Sequence, residues 1–327
     1  MIAFRMIQRL PAPHATHLHR YLYMRFHLMT KVYYINQTNQ QYFVIIFVMD
    51  GIILVKKPKG MTSFTCVSQV KRRVNERKAG HSGTLDPNAE GFMIIALGKC
   101  TKYLPYCVSN HKHYQATFAL GKRYDTQDVW GEAVEEKAPS MHTQEELDAI
   151  CHCFTGVIQQ VPPMYSALKK DGKKLYEYAR QGIEVERKAR EVEISSLSVK
   201  KLDENLYAMD AVVSSGTYIR TLIEDYCKAM GELGYMTSLN RCGIEHLTLE
   251  DAIEIEDVNE NSGIDPFKVF DPSWPVLECD RVEDVKNGKK IKLNTDEKRV
   301  ILVHGCEILA AYEKKDDGLY HSVRGLF

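Results

Sequence analysis

The sequence predicts an α+β protein, with a larger mixed domain followed by a small all-β domain. From Met49 onward, apolar strand-like runs alternate with segments of helical spacing, which is typical of a mixed sheet that carries helices. Three prolines then interrupt this pattern within ten residues: Pro266, Pro272 and Pro275. Short strand-like runs with an Asp-Gly hairpin signal follow and predict a small β-barrel. We therefore expect domains at 49–270 and 271–327.

The larger domain opens with a strand, a helix and two further strands. The run GIILVKKP predicts a strand that ends in a turn, and Thr62 or Ser63 can cap the helix that follows. Apolar residues recur at helical spacing in this helix: Phe64, Val67, Val70 and Val74. The runs FMIIALG and HYQATFALG then predict two strands, the first of them buried.

Two helices with a strand between them complete the larger domain. Thr143 and Glu146, in TQEELDAICHCF, have the spacing of a capping box at the start of the first helix. LYAMDAVVSSG predicts the strand, and TYIRTLIEDYCKAMGELG predicts the second helix, with Gly231 or Gly234 near its end. In the small domain the strand-like runs are KKIKL, RVILV, EILAAYE and LYHSVRG.

Residues 1–48 differ from the rest of the chain. They contain neither Asp nor Glu, and the first acidic residue is Asp50. The apolar stretch 44–49 is far too short to span a bilayer. We expect this segment to be an extension outside the folded domains, either disordered or upstream of a natural start at Met49.

Charge is distributed unevenly along the chain, although the formal net charge is zero. Between Lys169 and Arg190 there are eight Lys or Arg residues against four acids, with Tyr176 and Tyr178 among them. A basic segment is usually a solvated face, but interleaved aromatic residues indicate contact with nucleic acid. Both interpretations remain open at this point.

The nine cysteines predict neither a disulfide framework nor a metal site. They are odd in number, scattered, and without CxxC spacing. Cys151-His152-Cys153 could suggest a metal ligand set, but Cys151 falls on the apolar stripe of a predicted helix. We therefore expect a protein of the reducing cytoplasm, without a bound metal.

The segment GHSGTLDPNAEG, at residues 80–91, carries the strongest candidate for chemistry. Gly and Asp-Pro are turn formers, so the segment can be a plain irregular loop between two regular elements. It can also be a loop shaped to present the carboxylate of Asp86. In the second interpretation Pro87 stiffens the turn, and the glycines let the backbone approach a ligand closely.

Three segments, in this order, resemble the bacterial tRNA pseudouridine-55 synthases of the TruB type: GHSGTLDPNAEG, VPPMYSALKKDGKKLYEYARQGIEVERKAR and SGTYIRTL. The resemblance runs from about Met49 to about Cys242 and continues more weakly to the C-terminus, where that family carries a PUA-type RNA-binding domain. It implies a pseudouridine synthase-type mixed-sheet catalytic domain with a basic RNA-clamping insertion. The implied activity is isomerisation of a uridine in the T-arm of tRNA, without a cofactor, by a cytoplasmic monomer that needs no protein partner.

The resemblance also implies roles for particular residues. Asp86 would be the catalytic nucleophile, and Arg220 would pair with it and offset its desolvation. The target base has to be flipped out of its stack. His81 would fill the space that the base leaves, and Tyr114 would stack on the target ring. The remaining residues of the uracil pocket would be Tyr218 and Leu239.

Basic residues of the insertion would contact RNA phosphates: Lys169, Lys170, Lys173, Lys174 and Arg180. The chain departs from the family pattern at Lys56, where an acid is frequent. It departs again in LNRC, where the family usually has a double arginine and this chain keeps Arg241 as one basic contact.

Two other functions remain open from the sequence. The first is a non-catalytic tRNA-binding or tRNA-folding protein, against which the presence of both Asp86 and Arg220 argues. The second is a related synthase that acts on another RNA site or within a guide-RNA particle, against which the basic insertion argues. The sequence also leaves open whether Asp86 attacks the ribose or the uracil ring.

Overall fold

The computed structural model describes the backbone of residues 28–37 and 40–327, and side chains from Asp50 onward. Strands β1 (Leu28–Gln37) and β2 (Gln40–Met49) pair antiparallel in a sheet of their own. Much of the extension predicted at 1–48, including residues 1–27, lies outside the described residues. Its boundary at Met49 stays a prediction.

Deletion of residues 1–48 is expected to leave the melting temperature nearly unchanged. The ladder of β1 and β2 is not joined to any other sheet of the described chain, so its loss removes no strand pairing from them. Thermal unfolding followed by circular dichroism checks this. A decrease of more than about 4 °C, which is about 1 kcal/mol or more at this size, would contradict it.

The remaining strands form two two-stranded hairpins, one four-stranded sheet and one large sheet. In chain order the further strands are β3 (Gly51–Lys57), β4 (Ala79–His81), β5 (Glu90–Leu97), β6 (His111–Leu120), β7 (Lys122–Tyr124), β8 (Ala133–Glu136), β9 (Gly156–Gln160), β10 (Lys169–Lys170), β11 (Lys173–Lys174), β12 (Arg190–Lys201), β13 (Leu206–Ser214), β14 (Gly234–Ile244), β15 (Leu247–Thr248), β16 (Ile253–Glu254), β17 (Val276–Glu278), β18 (Arg299–His304), β19 (Glu307–Lys314) and β20 (Tyr320–Gly325). The helices are α1 (Ser63–Arg73), α2 (Gln144–Phe154), α3 (Leu175–Ala179), α4 (Ile219–Ala229) and α5 (Val282–Lys286).

The large sheet is mixed, as the sequence predicts. Its strand order is β16-β3-β5-β14-β6-β13-β12-β9, with β4 added beside β5 and β15 beside β14. Neighbours are antiparallel except at β16–β3 and at β14–β5, where Arg241 lies opposite Gly91. The parallel joint between β14 and β5 therefore lies where the GHSGTLDPNAEG segment enters the sheet.

Strands β3 and β5 are buried on both faces. Because successive side chains of a strand point to opposite faces, each strand contributes to two separate cores. Ile53 and Ile95 join the core that is covered by α1 and α4. Ile52 and Ile94 join a second core on the other face. That second core also contains residues of the C-terminal sheet, namely Ile301, Val303 and Ile308, so the small domain packs on the back of the large sheet.

The predicted helix ends are confirmed in detail. Thr62 caps α1, and its Oγ1 accepts a hydrogen bond from the backbone N–H of Thr65 at 3.0 Å. The capping box of Thr143 and Glu146 is formed in both directions at the start of α2, at 2.9 and 3.3 Å. Helix α4 is followed by Gly231 in the left-handed region, with φ of +76°. Helix ends of this kind can be predicted from neighbouring residues alone, without knowledge of the tertiary structure.

The C-terminal domain is a separate four-stranded sheet in the order β17-β18-β19-β20. The prediction of a strand in KKIKL is wrong, because only Ile291 of this run pairs, in a single bridge with Tyr320. The first residue of the run is still bonded to α5, because the N–H of Lys289 donates to the carbonyl of Asp284 at 2.9 Å. Only Ile291 of the run then pairs with β20.

Candidate active site

Two buried side chains, Ser63 and Lys57, form hydrogen bonds with the backbone of the loop at residues 82–89. The hydroxyl of Ser63 accepts from the N–H of Leu85 at 2.9 Å and donates to its carbonyl at 3.0 Å. The ammonium of Lys57 donates to three carbonyls, those of Pro58, Met61 and Pro87, at 3.0, 2.6 and 3.1 Å. Burial lowers the pKa of Lys57 to about 8. The loop is thus a fixed structure, although most of it has no regular hydrogen bonding.

Glycine is required where the loop enters β5. Gly91 has φ of +113°, and a Cβ built on it would lie 2.3 Å from the carbonyl oxygen of Arg241 on the neighbouring strand. A larger residue would meet both the backbone strain and this close approach. The last glycine of GHSGTLDPNAEG therefore lets β5 and β14 join directly after the loop.

Asp86 lies at the tip of this loop and is paired with Arg220. Its side chain is 40 % exposed, whereas that of Arg220 is 5 % exposed. Nε of Arg220 donates to Oδ2 of Asp86 at 2.9 Å. The other two guanidinium nitrogens donate to the carbonyls of Thr126 and Tyr165, at 2.8 and 2.9 Å. One buried arginine in the first turn of α4 therefore ties together three segments that are distant in sequence.

A second carboxylate, which the sequence analysis missed, lies beside this pair. Oδ2 of Asp128 is 3.9 Å from Nε of Arg220, and Oδ1 accepts from the hydroxyl of Thr126 at 2.7 Å. Burial raises the pKa of Asp128, and the hydrogen bond from Thr126 and the charge of Arg220 oppose this rise. Asp128 belongs to the irregular connection between β7 and β8, so no periodic pattern marked it.

An open cleft of about 370 Å³ lies over Asp86 and contains most of the predicted site residues. Those that line it are Asp86, Tyr114, Tyr218, Arg220 and Leu239. Tyr114 and Leu239 come from the adjacent strands β6 and β14 and are almost fully buried. The buried amide of Gln160 holds the backbone of Tyr218, accepting from its N–H at 2.8 Å and donating to its carbonyl at 3.1 Å.

His81, which was predicted to fill the space that the flipped base leaves, does not line the cleft. It ends β4 and pairs with Ile95 of β5. Its Nδ1 is buried without a hydrogen-bond partner among the described residues. Burial lowers the pKa of His81, and the nearby charge of Arg241 lowers it further. The imidazole therefore lies beside the cleft rather than on its wall.

The predicted RNA-contacting residues lie on a separate projection, the basic hairpin, which we define as residues 169–180. Strands β10 and β11 carry all four lysines, and Asp171 and Gly172 form the turn between them with positive φ. Aromatic rings support three of the cations: Lys173 Nζ lies 4.7 Å from the ring centroid of Tyr178, and Lys174 Nζ and Arg180 Cζ lie 5.4 and 5.3 Å from that of Tyr176. The hairpin follows directly after 166–168, which line the cleft.

Arg241, the basic contact that remains in LNRC, comes from β14 and lines the cleft. Its side chain is almost completely buried, and Nε donates to the carbonyl of Phe92 at 2.7 Å. Lys112 is a third buried cation on the cleft wall, beside Arg220 and Arg241, and it was not predicted from the sequence. A signal for Lys112 existed: it stands two residues before Tyr114 on one strand, and residues two apart on a strand face the same side.

All nine cysteines are unpaired, and Cys151 is buried in the helix that it was expected to pack. Glu278, Asp280 and His304 bring three potential metal-ligand atoms together among the described residues, at an exposed place on the C-terminal sheet. Within the part of the chain that the structure describes, no helix is both long and apolar enough to cross a membrane.

Comparison with known proteins shows the family of this chain. A family model described as TruB family pseudouridylate synthase (N terminal domain) matches residues 71–219. A relative from Mesoplasma florum, named tRNA pseudouridine synthase B, is 37 % identical over 281 residues, which cover 84 % of this chain and 98 % of that protein. The chain belongs to the TruB family of pseudouridylate synthases. It is therefore an isomerase that converts uridine to pseudouridine.

Further relatives of this TruB-family protein carry the same name. The one from Clostridium perfringens strain 13 is 45 % identical over 213 residues, or 65 % of this chain and 72 % of that protein. The one from Psychrobacter cryohalolentis is 45 % identical over 215 residues, or 64 % of this chain and 60 % of that protein.

Two solved structures share the fold. One is a chain of a Cbf5-Nop10-Gar1 complex, with a TM-score of 0.60, 22 % identity, and coverage of 80 % of this chain and 78 % of that chain. The other belongs to an H/ACA RNP bound to a substrate RNA containing 2'-deoxyuridine, with a TM-score of 0.59, 20 % identity, and coverage of 85 % and 84 %. At this level of identity the likeness concerns the fold alone.

Proposed function

We propose that this TruB-family protein isomerises the uridine at position 55, in the T-arm of tRNA, with Asp86 as its nucleophile. The observation that carries the proposal is a half-exposed carboxylate at the base of an open cleft, held in place by a buried arginine. The names of the relatives from Mesoplasma florum and Clostridium perfringens support tRNA as the substrate.

The reaction breaks the bond between ribose C1' and uracil N1 and forms a bond between C1' and C5. One proton leaves C5 and one arrives at N1, so the product has the composition of the substrate. In the proposed course, one oxygen of Asp86 bonds to C1' or to the uracil ring, and that bond breaks in the last step to restore the carboxylate. Arg220 donates to one oxygen of this carboxylate and so holds Asp86 in one position in the lining of the cleft.

The cleft suits a single flipped nucleotide. A base in a folded RNA arm cannot reach a carboxylate inside a cleft while it remains stacked. The ring of Tyr114 and the side chain of Leu239 provide apolar surface for a base that has left its stack. In this proposal Tyr218 completes the wall, and the guanidinium of Arg190 packs on its ring with Cζ 4.9 Å from the centroid.

Incubation of the protein with an unmodified tRNA transcript, followed by mapping of pseudouridine, tests the proposal. We expect pseudouridine at position 55 and none in a control transcript that carries cytidine there. Modification at another uridine would favour the alternative of a synthase for another RNA site. Binding without modification in any tRNA transcript would contradict the proposal.

The basic hairpin is expected to supply phosphate contacts that make binding sensitive to salt. The logarithm of affinity should fall by about 0.7–0.9 per released counterion as log salt concentration rises. The double variant Lys173→Ala/Lys174→Ala should bind tRNA more weakly and show a flatter slope. Filter binding at several salt concentrations measures both quantities.

The adjacent lysines of β12 give a matched control for this double variant. Lys200→Ala/Lys201→Ala removes the same charge from a strand of the large sheet and should keep the wild-type slope. If the hairpin variant itself kept the wild-type affinity and slope, the hairpin would be only a solvated face.

We further propose that the protein acts as a monomer in the cytoplasm, without an obligatory protein partner. The basic insertion, in MYSALKKDGKKLYEYARQG, supports a stand-alone tRNA enzyme rather than a synthase within a guide-RNA particle. Light scattering on the purified active protein measures its mass directly. Activity that appeared only after a second protein was added would contradict the proposal.

A further inference from the structure

The cleft contains two buried cations that the proposed mechanism does not use. Lys112 and Arg241 both line it, with 7 % and 1 % of their surface exposed. Among the side chains of residues 50–327, no carboxylate lies within 4.0 Å of either charge. A buried charge without a counter-ion is costly, so two in one place call for an explanation.

The two cations converge on Gly83, at the start of the loop that carries Asp86. A Cβ built on Gly83 would lie 3.6 Å from Nη1 of Arg241 and 3.8 Å from Cε of Lys112. Lys112 donates to the carbonyl of Ser109 at 2.8 Å and to the hydroxyl of Ser215 at 2.5 Å, which uses two of its three protons. Arg241 uses Nε and Nη2 on the carbonyls of Phe92 and Gly83. Nη1 has no acceptor within the described chain.

Lys57 shows what a purely structural buried lysine looks like in this protein. Lys57 is at least as deeply buried as Lys112, but its ammonium donates hydrogen bonds to three backbone carbonyls, and Lys57 does not line the cleft. Lys112 keeps a donor and faces the cleft. Burial lowers the pKa of Lys112 to about 8, and the charge of Arg241 acts in the same direction, while Glu245 opposes them. An anion between the two cations would relieve this repulsion.

We propose that Lys112 and Arg241 form an anion subsite that binds a phosphodiester of the substrate RNA beside the flipped nucleotide. The proposal rests on the proposed function, because RNA is what brings the anion. Among the residues whose side chains the structure describes, the one carboxylate that lines the cleft is Asp86, and it is already engaged by Arg220. A nucleotide that enters the cleft carries a phosphate on each side of its ribose, and cations bind phosphate through charge-assisted hydrogen bonds.

A double perturbation tests the subsite. Each protein is made in an Asp86→Asn background, so that the RNA stays unreacted, and binds T-arm stem-loops of two kinds. One is native, and the others carry a single neutral methylphosphonate at the linkage 5' or 3' of the target uridine. We expect Lys112→Met to weaken binding of the native RNA about tenfold or more, which is about 1.4 kcal/mol. On the RNA that lacks the contacted charge, Lys112→Met should cause no further loss.

The proposal would be overturned if Lys112→Met weakened binding of both methylphosphonate RNAs by the same factor as it weakens binding of the native RNA. It would also be overturned if Lys112→Met bound the native RNA with unchanged affinity. Gly83→Ala is the second variant, because its methyl group would occupy the space between the cations at ordinary contact distance and remove no hydrogen bond. We expect it to show the same coupling, and a folded Gly83→Ala protein with full affinity would contradict the subsite. Lys200→Met, an exposed lysine on β12, is the control and should show no coupling.

Failure of the subsite can be distinguished from failure of the proposed function. The wild-type protein is assayed separately for pseudouridine in the native stem-loop. Absent turnover there contradicts the proposed function. Normal turnover together with independent losses from Lys112→Met and from the neutral linkages contradicts only the phosphate contact.

Discussion

Asp86→Asn is expected to retain tRNA binding and to lose essentially all isomerisation, at least about 10³-fold in rate. The amide has nearly the shape of the carboxylate, and its oxygen can still accept the hydrogen bond from Nε of Arg220. It cannot form the covalent bond that the proposed reaction needs. Single-turnover assays with saturating enzyme, read as released pseudouridine nucleoside, measure the loss without interference from binding.

A matched substitution and a check of identity make this result decisive. Asp148→Asn changes an exposed carboxylate on α2 in the same way and should keep the wild-type rate. Mass spectrometry of the assayed protein shows whether any of the asparagine has reverted to aspartate. Appreciable turnover by a verified Asp86→Asn protein would remove Asp86 from the role of nucleophile.

Helix ends and strand positions could be predicted from the sequence because their signals are local. The capping box of Thr143 and Glu146 lies within four residues and is formed as predicted. The run KKIKL shows the limit of this reasoning. Its composition favours a strand, but the backbone N–H of Lys289 donates to a carbonyl of the preceding helix α5, and only Ile291 pairs with another strand. Whether a short run forms a strand therefore depends on the elements that lie next to it in the fold.

Buried cations could not be predicted in the same way. A lysine or arginine is ordinarily expected at the surface, so the LNRC run does not predict the burial of Arg241. The structure buries Lys57, Lys112 and Arg241, and backbone carbonyls accept hydrogen bonds from all three. Some of these acceptors are local, as Ser109 is to Lys112, whereas Phe92 is 149 residues from Arg241 in the sequence. Only the assembled sheet shows which acceptors are available.

Arg220 illustrates the same limit within the active site. Helical spacing alone predicts a position for Arg220 at the edge of the buried face of α4, between Ile219 and Leu222. Its side chain is instead 5 % exposed, because carbonyls of Thr126 and Tyr165 satisfy its outer nitrogens. A surface arginine would contribute about 0.5 kcal/mol or less to stability. A buried one with three anchored nitrogens has a fixed position, and it transmits that position to Asp86.

Arg220→Lys is therefore expected to fold and to bind tRNA, yet to react at least about tenfold more slowly, a loss of about 1.4 kcal/mol of transition-state stabilisation. Lysine keeps the charge but presents one nitrogen in place of a planar fork. It cannot hold Asp86 while also holding the carbonyls of Thr126 and Tyr165. The carboxylate would keep a cation nearby and lose its defined direction, so the rate of chemistry falls and affinity does not.

The matched control for Arg220→Lys is the same substitution at an arginine that pairs with a carboxylate outside the cleft. Nη2 of Arg281 lies 2.9 Å from Asp284 in the C-terminal domain, so Arg281→Lys makes the same chemical change to an exposed pair. Single-turnover rates with saturating enzyme should be unchanged for Arg281→Lys and reduced for Arg220→Lys, with circular dichroism showing both folded. A wild-type rate for Arg220→Lys would mean that the pairing with Asp86 does not position the nucleophile. The roles given to Tyr114, Tyr218 and Leu239 rest on the same resemblance and would then lose their support.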